Sequence, residues 1–365
     1  MRNKLFLPLS LALLTTGNAF SQNVSIDGFR DGIHHWNLIH AERNYSRYAE
    51  NDFRHIADNV IAYQNKDGGW PKNIDLLGVL NTDSVYHALT DLYKQSTLDN
   101  RNTFPQIEYL AKVYTITGET KYRDASWKGL QYLLNTQYSN GGWRGWDVDA
   151  ITFNDEVTTG AVELFCRILQ GDSDFAWLNK KQFRRIEKSY RKGLDLILRC
   201  QVIQNGKLTA WAQQHDHKTL KPVGGRTFEL PSLTADESCP IVMMLMEIKN
   251  PDKRVIASVK AAVAWLESVK IYGIRMVHVP LPKDKIINHE YPYDNVIEKD
   301  PSAKPIWARF YELSDNTPFF CTRQGVKVAT LAEVNAERRT GYDWYGYWPE
   351  VVLKAYPEWL KRIGE

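Results

Sequence analysis

Two arginines in the C-terminal part of the chain, Arg309 and Arg323, could bind an anion between them. Both lie in alternating, aromatic-rich stretches that flank turn-forming residues, a pattern that predicts a β-hairpin. If the loop is residues 315–317, the arginines stand opposite each other, roughly 5 Å apart at the root, whereas a two-residue loop places them on opposite faces. Facing like charges destabilise paired strands unless an anion lies between them. The alternative is two solvated arginines at a strand edge.

Oxygen-bearing side chains occur in two loops that each precede a predicted helix. Asp99 and Asn100 come before the apolar stripe 107–114, and Asp155 comes before the stripe 157–168. In one loop alone, such residues cap a helix more often than they bind a metal. Because the two loops hold equivalent positions in a repeat, they point to the same end of the fold, which favours a shared site for Ca²⁺. The nine histidines show no zinc-binding spacing.

The elements that must position these residues form a repeat of helical hairpins. Three amphipathic stripes each run into a glutamine and then a glycine-containing loop that ends at a tryptophan. These pairs are Gln64 with Trp70, Gln137 with Trp143, and Gln201 with Trp211. Consecutive hairpins pack side by side and can curve into a ring. The pattern predicts a mainly α fold, an α/α toroid-like repeat over about residues 47–270.

The tryptophans of this repeat have two interpretations. Trp70 and Trp143 could stack on sugar rings in a groove, or they could fill the end of the toroid. From His278 onward the helical period ends, and several prolines mark an irregular segment that leads into the β-hairpin. We therefore expect an irregular and β-hairpin region over residues 278–345. Long loops inside a compact domain are usually functional.

Composition and the N-terminus indicate an exported globular protein. The 365 residues are 43% hydrophobic and 24% charged, as in soluble domains. Residues 1–21 have the basic start, short apolar run and small-residue ending of a signal peptide, and the run is too short to span a membrane. We expect residues 22–365 to form one catalytic domain, a monomer, in the periplasm or outside the cell. No nucleic-acid-binding motif is visible, and the four widely spaced cysteines leave their disulfide pairing open.

Taken together, these motifs resemble the pectate lyases of polysaccharide lyase family 10. The similarity rests on GGWPKN (residues 68–73), LDNRNT (98–103), QIEYL (106–110), ITFND (151–155), PSL (231–233) with ES (237–238), and WARFYE (307–312) through Arg323. It covers roughly residues 49–360. Each motif alone would be weak, but the combination is specific.

The resemblance implies Ca²⁺-assisted β-elimination on polygalacturonate, with an arginine as the base that removes a proton. By position, Arg323 would be this base and Arg309 would hold substrate carboxylate or transition-state charge. Asp99, Asn100 and Asp155 would hold or orient Ca²⁺. Lys270 would bind a substrate carboxylate. Trp70 and Trp143, which come from the repeat and not from the resemblance, are the other candidates for substrate binding. The sequence departs from the family at Glu156 and at residues 144–148, which bears on the choice of substrate subsites.

These residue types suit an elimination from a 4-linked uronate. The reaction removes the C5 proton, next to the carboxylate, and expels the oxygen at C4, so negative charge builds on an existing anion. A divalent cation and arginines stabilise that charge. Because free arginine has a pKa above about 12, an arginine base requires burial or neighbouring cations, and we expect an alkaline activity optimum.

Two other functions fit parts of the pattern. An inverting glycoside hydrolase on an α/α toroid needs two carboxylates roughly 6.5 to 9.5 Å apart. Glu156 with Asp236 or Glu237 could supply them, although a hydrolase of neutral sugars has no need for Arg309 and Arg323. A non-catalytic polyuronate-binding protein would keep the basic groove without turnover.

Overall fold

The computed structural model describes residues 24–39, 45–80, 95–285 and 291–365, and these segments are mainly helical. The predicted signal peptide lies outside the described residues. The described helices are α1 (Arg30–Ile39), α2 (Phe53–Ala62), α3 (Phe104–Thr117), α4 (Thr120–Thr136), α5 (Val157–Leu169), α6 (Lys180–Cys200), α7 (Ala235–Met246), α8 (Lys253–Ser268), α9 (Ala336–Thr340) and α10 (Pro349–Ile363). None of them has the length and apolar composition that crossing a bilayer requires.

Most strands contain only two residues. They are β1 (Ile151–Thr152), β2 (Ile203–Gln204), β3 (Lys207–Leu208), β4 (Gln214–His215), β5 (Pro222–Val223), β6 (Leu233–Thr234), β7 (Ile274–Pro280), β8 (Tyr293–Lys299), β9 (Trp307–Ala308), β10 (Phe310–Tyr311), β11 (Pro318–Cys321), β12 (Lys327–Val328) and β13 (Tyr345–Gly346). The sheets have the orders β1-β4-β5, β12-β11-β10-β6, β13-β9, β2-β3 and β7-β8.

The helices pack in two layers. Helices α3, α5 and α7 lie side by side in one layer, and α2, α4, α6 and α8 lie side by side in the other. Within each hairpin, α3 packs against α4, α5 against α6, and α7 against α8. Short connections make the partners in a hairpin antiparallel, so the first residues of α3, α5 and α7 are at one end of the fold. The predicted repeat of helical hairpins is confirmed.

A glutamine fastens each repeat to the next. The Gln64 side-chain amide donates to the carbonyl oxygens of Gly68, at 2.8 Å, and Ala125, at 2.9 Å. Gln137 and Gln201 make the same two kinds of bond, to their own loops and to the neighbouring helix. Gly68 has a φ of +96°, and a Cβ there would lie 2.3 Å from the Lys128 carbonyl oxygen. The loop therefore requires glycine at this close approach.

The tryptophans of the repeat are core residues, so the prediction that Trp70 and Trp143 line a sugar groove is wrong. Trp70 is 1% exposed and Trp143 is fully buried. The indole N–H of Trp70 donates to the Val60 carbonyl at 2.6 Å, and that of Trp143 donates to the Leu133 carbonyl at 2.9 Å. Each ring is buried between the two helix layers and its N–H is already hydrogen-bonded, so neither ring is available to stack on a sugar.

The region after α8 is more regular than the sequence predicts. Strands β7 and β8 pair antiparallel over their full length, from Ile274 opposite Lys299 to Pro280 opposite Tyr293. Pro280 is the last residue of β7 and Pro292 directly precedes β8, where a proline can be accommodated. Pro301 and Pro305 lie in the loop between β8 and β9. The prolines therefore did not reveal the β7–β8 pairing, although much of residues 291–345 lies outside strands and helices. Residues 286–290, between the strands, lie outside the described part.

The β10–β11 hairpin has a different register from the predicted one. Phe310 pairs with Phe319, and the Glu312 N–H donates to the Thr317 carbonyl at 2.9 Å, which leaves a four-residue loop at 313–316. Asn316 has a φ of +64° and belongs to the loop. Arg309 and Arg323 therefore do not face each other across the strands, and the predicted direct opposition is wrong.

The four cysteines, Cys166, Cys200, Cys239 and Cys321, are all free and buried. Cys166 lies on the buried face of α5 and is 3% exposed. In the described structure none of these thiols forms a disulfide, so the fold relies on packing of the two helix layers.

Candidate active site

Acidic side chains gather where the helices of one layer begin. Asp99 lies in the loop before α3, Asp155 directly precedes α5, and Asp236 and Glu237 are in the first turn of α7. A hydrogen bond repeated in each hairpin ties the tryptophan loop to this end. Its members are the Trp70 N–H to Thr103 Oγ1 at 3.3 Å, the Trp143 N–H to Thr158 Oγ1 at 3.2 Å, and the Trp211 N–H to Ser238 Oγ at 3.1 Å.

Asp155 is the carboxylate that connects the acidic and basic parts of this end. Burial, followed by the negative charges of Asp99 and Asp31, raises its pKa to about 7, while the guanidinium groups of Arg309 and Arg226 oppose the rise. Its Oδ2 accepts a hydrogen bond from the Asn154 amide at 2.8 Å. Negative charges from Asp99 and Asp31 and positive charges from Arg309 and Arg226 thus act on the same carboxyl group.

Asp99 is buried and already contacts a cation. The Lys72 ammonium touches Oδ2 of Asp99 and lies 4.8 Å from the centre of the Trp146 ring. Asn100 donates its amide N–H to Asn73 Oδ1 at 2.6 Å, which leaves the Asn100 amide oxygen as its donor atom for a cation. Lys72 was not among the predicted lysines, although the GGWPKN motif contains it.

The backbone around these residues is held in unusual conformations. Asn73, Asn100, Thr103, Asp155 and Glu156 all have φ between +50° and +75°, and Thr103 is β-branched. Such residues cost of order 1–3 kcal/mol each and persist where surrounding contacts fix them. Both predicted metal loops therefore have enforced shapes.

The donors around Asp99 and Asp155 fit Ca²⁺. They are carboxylate and amide oxygens, the ligands that Ca²⁺ prefers, and a cation between the two like charges would relieve their repulsion. The described residues contain no group of three or more His, Cys, Asp or Glu side chains arranged to hold a metal. Amide oxygens and a bound anionic sugar would therefore have to complete the coordination.

Arg309 belongs to the basic part of this site, and its side chain is buried. Its Nη1 lies 3.0 Å from Asp236 Oδ2, and its Nη2 contacts Glu237. Burial alone would lower the pKa of Arg309, but Glu237, Tyr342 and Asp236 outweigh burial and raise it well above the usual value. Burial raises the pKa of Asp236 to about 7 although Arg309 opposes the rise. Arg309 is thus a fixed, permanently charged group.

Arg226, which the sequence analysis did not single out, lies close to this pair. Its guanidinium binds Glu229 at 2.5 Å, and Glu229 is 2% exposed. The Tyr342 hydroxyl also donates to Glu229, at 3.0 Å. Gln213 then donates to the Tyr342 hydroxyl at 3.0 Å and to Glu237 at 2.6 Å. A continuous hydrogen-bond network therefore links Arg226 to Arg309.

Four arginines surround two touching rings, and we call them the arginine row: Arg309, Arg226, Arg338 and Arg323. The rings are Phe228 and Tyr342, whose centres are 5.1 Å apart. Arg309 lies 4.5 Å from the centre of the Tyr342 ring, and Arg226 and Arg338 lie near both rings. Arg323 is 5.7 Å from the centre of the Phe228 ring. The predicted arginines thus belong to one group, at its two ends.

The outer members of the row, Arg338 and Arg323, have Glu337 as their acidic neighbour, so positive charge is concentrated there. Burial lowers the pKa of Arg338; the charge of Glu337 opposes this change, and the charges of Arg323 and Arg226 add to it. The Arg338 Nε is buried and has no hydrogen-bond partner among the described residues. The Arg323 side chain is 53% exposed, and its closest acid is Glu337 at 3.5 Å. A polyanion that reached the row would relieve this repulsion.

Lys270 is not joined to these groups by any contact in the described structure. Its ammonium pairs with Glu267 at 2.5 Å and lies 5.9 Å from the centre of the Trp307 ring. The carboxylates considered for a hydrolase are also engaged, since Glu156 pairs with Arg101 at 3.2 Å and both Asp236 and Glu237 pair with Arg309.

Sequence reasoning missed Arg226, Glu229, Tyr342, Arg338 and Lys72. Arg226 and Glu229 are three residues apart, and Arg338 and Tyr342 are four apart. These spacings are common for surface pairs, so they carried no specific signal. These residues form one group only because the Phe228 and Tyr342 rings are in contact in the folded protein.

Comparisons with known proteins point to one family. A family model described as pectic acid lyase matches residues 64–353. A mutant of a family 10 polysaccharide lyase from Cellvibrio cellulosa, solved in complex with trigalacturonic acid, is 29% identical; the match has a TM-score of 0.70 and covers 94% of this chain and 99% of that one. A second structure of a family 10 polysaccharide lyase from the same organism is 29% identical, with a TM-score of 0.69 and coverage of 92% and 98%. No curated protein matches.

Proposed function

The chain belongs to the pectic acid lyase family and is a pectate lyase, and from this premise we propose that it cleaves polygalacturonate by Ca²⁺-assisted β-elimination. The products would be oligogalacturonides with a 4,5-unsaturated end. The observation that carries the proposal is that Asn154 joins Arg309 to Asp155: its amide oxygen accepts from Arg309 Nη2 at 3.4 Å and its amide N–H donates to Asp155 Oδ2 at 2.8 Å. The negative charge of Asp99 also acts on the Asp155 carboxyl group. One sugar ring needs a cation for its carboxylate and a base for its C5 proton, and this end of the fold offers both kinds of group.

Asp99, Asn100 and Asp155 would hold Ca²⁺. When bound, the ion would withdraw charge from the substrate carboxylate and make the C5 proton more acidic. Lys72, which contacts Asp99, would bind a substrate carboxylate in the role that the sequence had suggested for Lys270. This assignment follows from the absence of any described contact between Lys270 and the site.

Arg309 would stabilise the negative charge that develops on the substrate. Its guanidinium is fixed by Asp236, Glu237 and the Tyr342 ring, so it needs no reorganisation during the reaction. The raised pKa of Arg309 makes it unsuitable as the base.

We assign proton removal at C5 to an arginine of the row, and two members are candidates. Arg323 is the arginine to which the resemblance of the motifs assigns the role of the base, and its guanidinium has one acidic neighbour, Glu337 at 3.5 Å. Arg226 has a charge that acts directly on Asp155, although its pairing with Glu229 raises its own pKa despite burial. Conservative lysine variants of each, described in the Discussion, separate the two assignments.

We further propose that the enzyme acts as a monomer on polygalacturonate after export by the N-terminal signal, in the periplasm or outside the cell. The trigalacturonic acid in the Cellvibrio cellulosa complex supports the choice of substrate. The test is the formation of an ultraviolet-absorbing unsaturated uronide from polygalacturonate, with Ca²⁺ and with a chelator. New reducing ends without that absorbance would instead indicate a hydrolase.

A further inference from the structure

The outward face of α6 is strongly basic and lies away from the candidate active site. Seven exposed basic side chains fall within thirteen residues, with Glu187 as the one acid, paired to Arg191 at 2.6 Å. They are Lys180, Lys181, Arg184, Arg185, Lys188, Arg191 and Lys192, and we call them the α6 basic stripe. The whole chain has a formal charge of only +3, so this charge is a local feature.

The stripe is unfavourable for the isolated helix. The first turn of α6 contains no acidic residue, so its lysines lie at the positive end of the helix dipole. Lys180, Arg184 and Lys188 also follow one another at four-residue spacing, where like charges repel. The helix N-terminus itself is capped by Asn179, which accepts from two backbone N–H groups at 3.0 Å. Any ligand here would therefore be bound by side chains.

Shape and aromatic groups give this face a second feature of a sugar-binding surface. A shallow groove of about 500 Å³ is lined by Lys180, Lys181, Arg184, Arg185 and Lys188. Phe183, in the same turns of the helix, is 37% exposed. On the neighbouring helix α4, the half-buried Trp127 ring lies 5.9 Å from the Arg185 guanidinium. Cations that bind carboxylates beside apolar rings that pack on sugars suit an anionic polysaccharide.

We propose that the α6 basic stripe is a second, non-catalytic binding surface for polyuronate chains. Successive basic residues at four-residue spacing stand about 6 Å apart along the helix, and a polymer with a carboxylate on every sugar can pair with several of them. The inference rests on the polyuronate activity of the family and does not depend on which arginine is the base.

The position of the stripe predicts which substrates use it. Helix α6 has 21 residues and is therefore about 30 Å long. Because α6 is antiparallel to α5, its C-terminal end, followed by Gln201, lies at the active-site end of the fold. The stripe is in the N-terminal part of α6 and is therefore remote from the active site. A long polygalacturonate chain can reach both surfaces, whereas trigalacturonate can occupy only one of them. The stripe thus raises the local concentration of polymer without touching the reacting sugar.

The test compares two charge-reversed enzymes. The stripe variant carries Lys180→Glu, Lys181→Glu, Arg184→Glu and Lys188→Glu. The control variant carries Lys207→Glu, Lys253→Glu, Lys299→Glu and Lys354→Glu, which are exposed lysines outside the stripe and change the net charge by the same amount. Kinetics are measured by counting reducing ends on long polygalacturonate and on trigalacturonate. This readout does not require the elimination mechanism, so a failure of that proposal stays distinguishable.

For the stripe variant we expect KM on the long polymer to rise about tenfold at low salt, with kcat/KM on trigalacturonate unchanged. The difference from wild type should disappear in about 1 M NaCl, which shortens the Debye length to about 3 Å. The control variant should keep the wild-type KM on both substrates. An unchanged polymer KM in the stripe variant, an equal rise in the control variant, or an equal loss on trigalacturonate would each overturn the proposal.

Discussion

The guanidinium of Arg309 lies 3.0 Å from the carboxylate of Asp236, at the N-terminal turn of α7. Glu237 contacts the same guanidinium, and all three side chains are at least largely buried. The backbone of Arg309 is fixed as well, because its N–H donates to the Trp344 carbonyl at 2.8 Å and its carbonyl accepts from the Ala235 N–H at 3.1 Å. One residue therefore joins the C-terminal strands to the helical repeat and supplies charge to the candidate active site.

Removing Arg309 should cost both stability and activity. Arg309→Ala leaves the carboxylates of Asp236 and Glu237 buried without their partner, and we expect the free energy of unfolding to fall by about 3 kcal/mol. Arg309→Lys should keep the fold but lower kcat/KM by about a hundredfold, because a lysine cannot satisfy two carboxylates with a planar fork. Urea denaturation and kinetics measure the two effects. The control is Arg275→Ala. Arg275 forms a half-exposed ion pair with Glu298, so its loss should lower the free energy of unfolding by less than about 1 kcal/mol.

Lysine variants of Arg323 and Arg226 should identify the base. The variant at the base should lose on the order of a thousandfold in kcat, because lysine places its proton-accepting atom differently, while trigalacturonate still binds. The other variant should show mainly a raised KM. Kinetics with trigalacturonate binding by calorimetry separate the two cases. If neither variant lowers kcat by more than about tenfold, the arginine row does not supply the base.

The raised pKa of Asp155 predicts a specific pH dependence of stability. Between its ordinary value of 3.8 and about 7, the folded protein holds a proton that the unfolded chain has released. The contribution of Asp155 to stability is therefore fully present at low pH and is lost as pH rises through about 7. Asp155→Asn lacks this loss, so its unfolding free energy should exceed that of wild type by on the order of 2 kcal/mol at pH 8, and by little at pH 4.

Thermal unfolding across this pH range, without added metal, measures the difference. Ca²⁺ should then raise the melting temperature of the wild type at pH 8, because binding to the folded state stabilises it, and should have little effect on Asp155→Asn. Glu358→Gln, at a side chain that is 75% exposed, is the control and should follow wild type throughout. A constant difference between wild type and Asp155→Asn at all pH values would contradict the account.

Substitution of Trp143 should lower stability, whereas substitution of Trp146, three residues later, should raise KM. Trp143→Phe removes buried volume and the bond to the Leu133 carbonyl, so we expect a loss of about 2 kcal/mol in stability with an unchanged KM. Trp146→Ala removes the ring beside the Lys72 ammonium, so we expect a raised KM with less than about 1 kcal/mol of destabilisation. A raised KM for Trp143→Phe alone would restore the sugar-stacking role that its burial argues against.

Local periodicity was enough to predict the helical-hairpin repeat, because the glutamine and the tryptophan of each loop make the same kinds of bond in each copy. The role of Trp143 could not be predicted from its residue type, because a tryptophan in this motif could either line a groove or be buried. The structure shows that its ring is buried. The relation of Arg309 to Arg323 depended on the length and position of the loop, which is residues 313–316 and not residues 315–317. Arg226 could not be predicted, since its partners Glu229 and Tyr342 are distant from each other in the chain.

The measurement that tests the central claim most directly is ultraviolet absorbance during incubation with polygalacturonate at alkaline pH, first with Ca²⁺ and then with chelator. The account predicts that absorbance from an unsaturated uronide grows with Ca²⁺ and stops when the ion is removed. Absorbance that grows equally in chelator would contradict the role of Asp99, Asn100 and Asp155. Reducing ends that appear without absorbance would contradict the elimination itself.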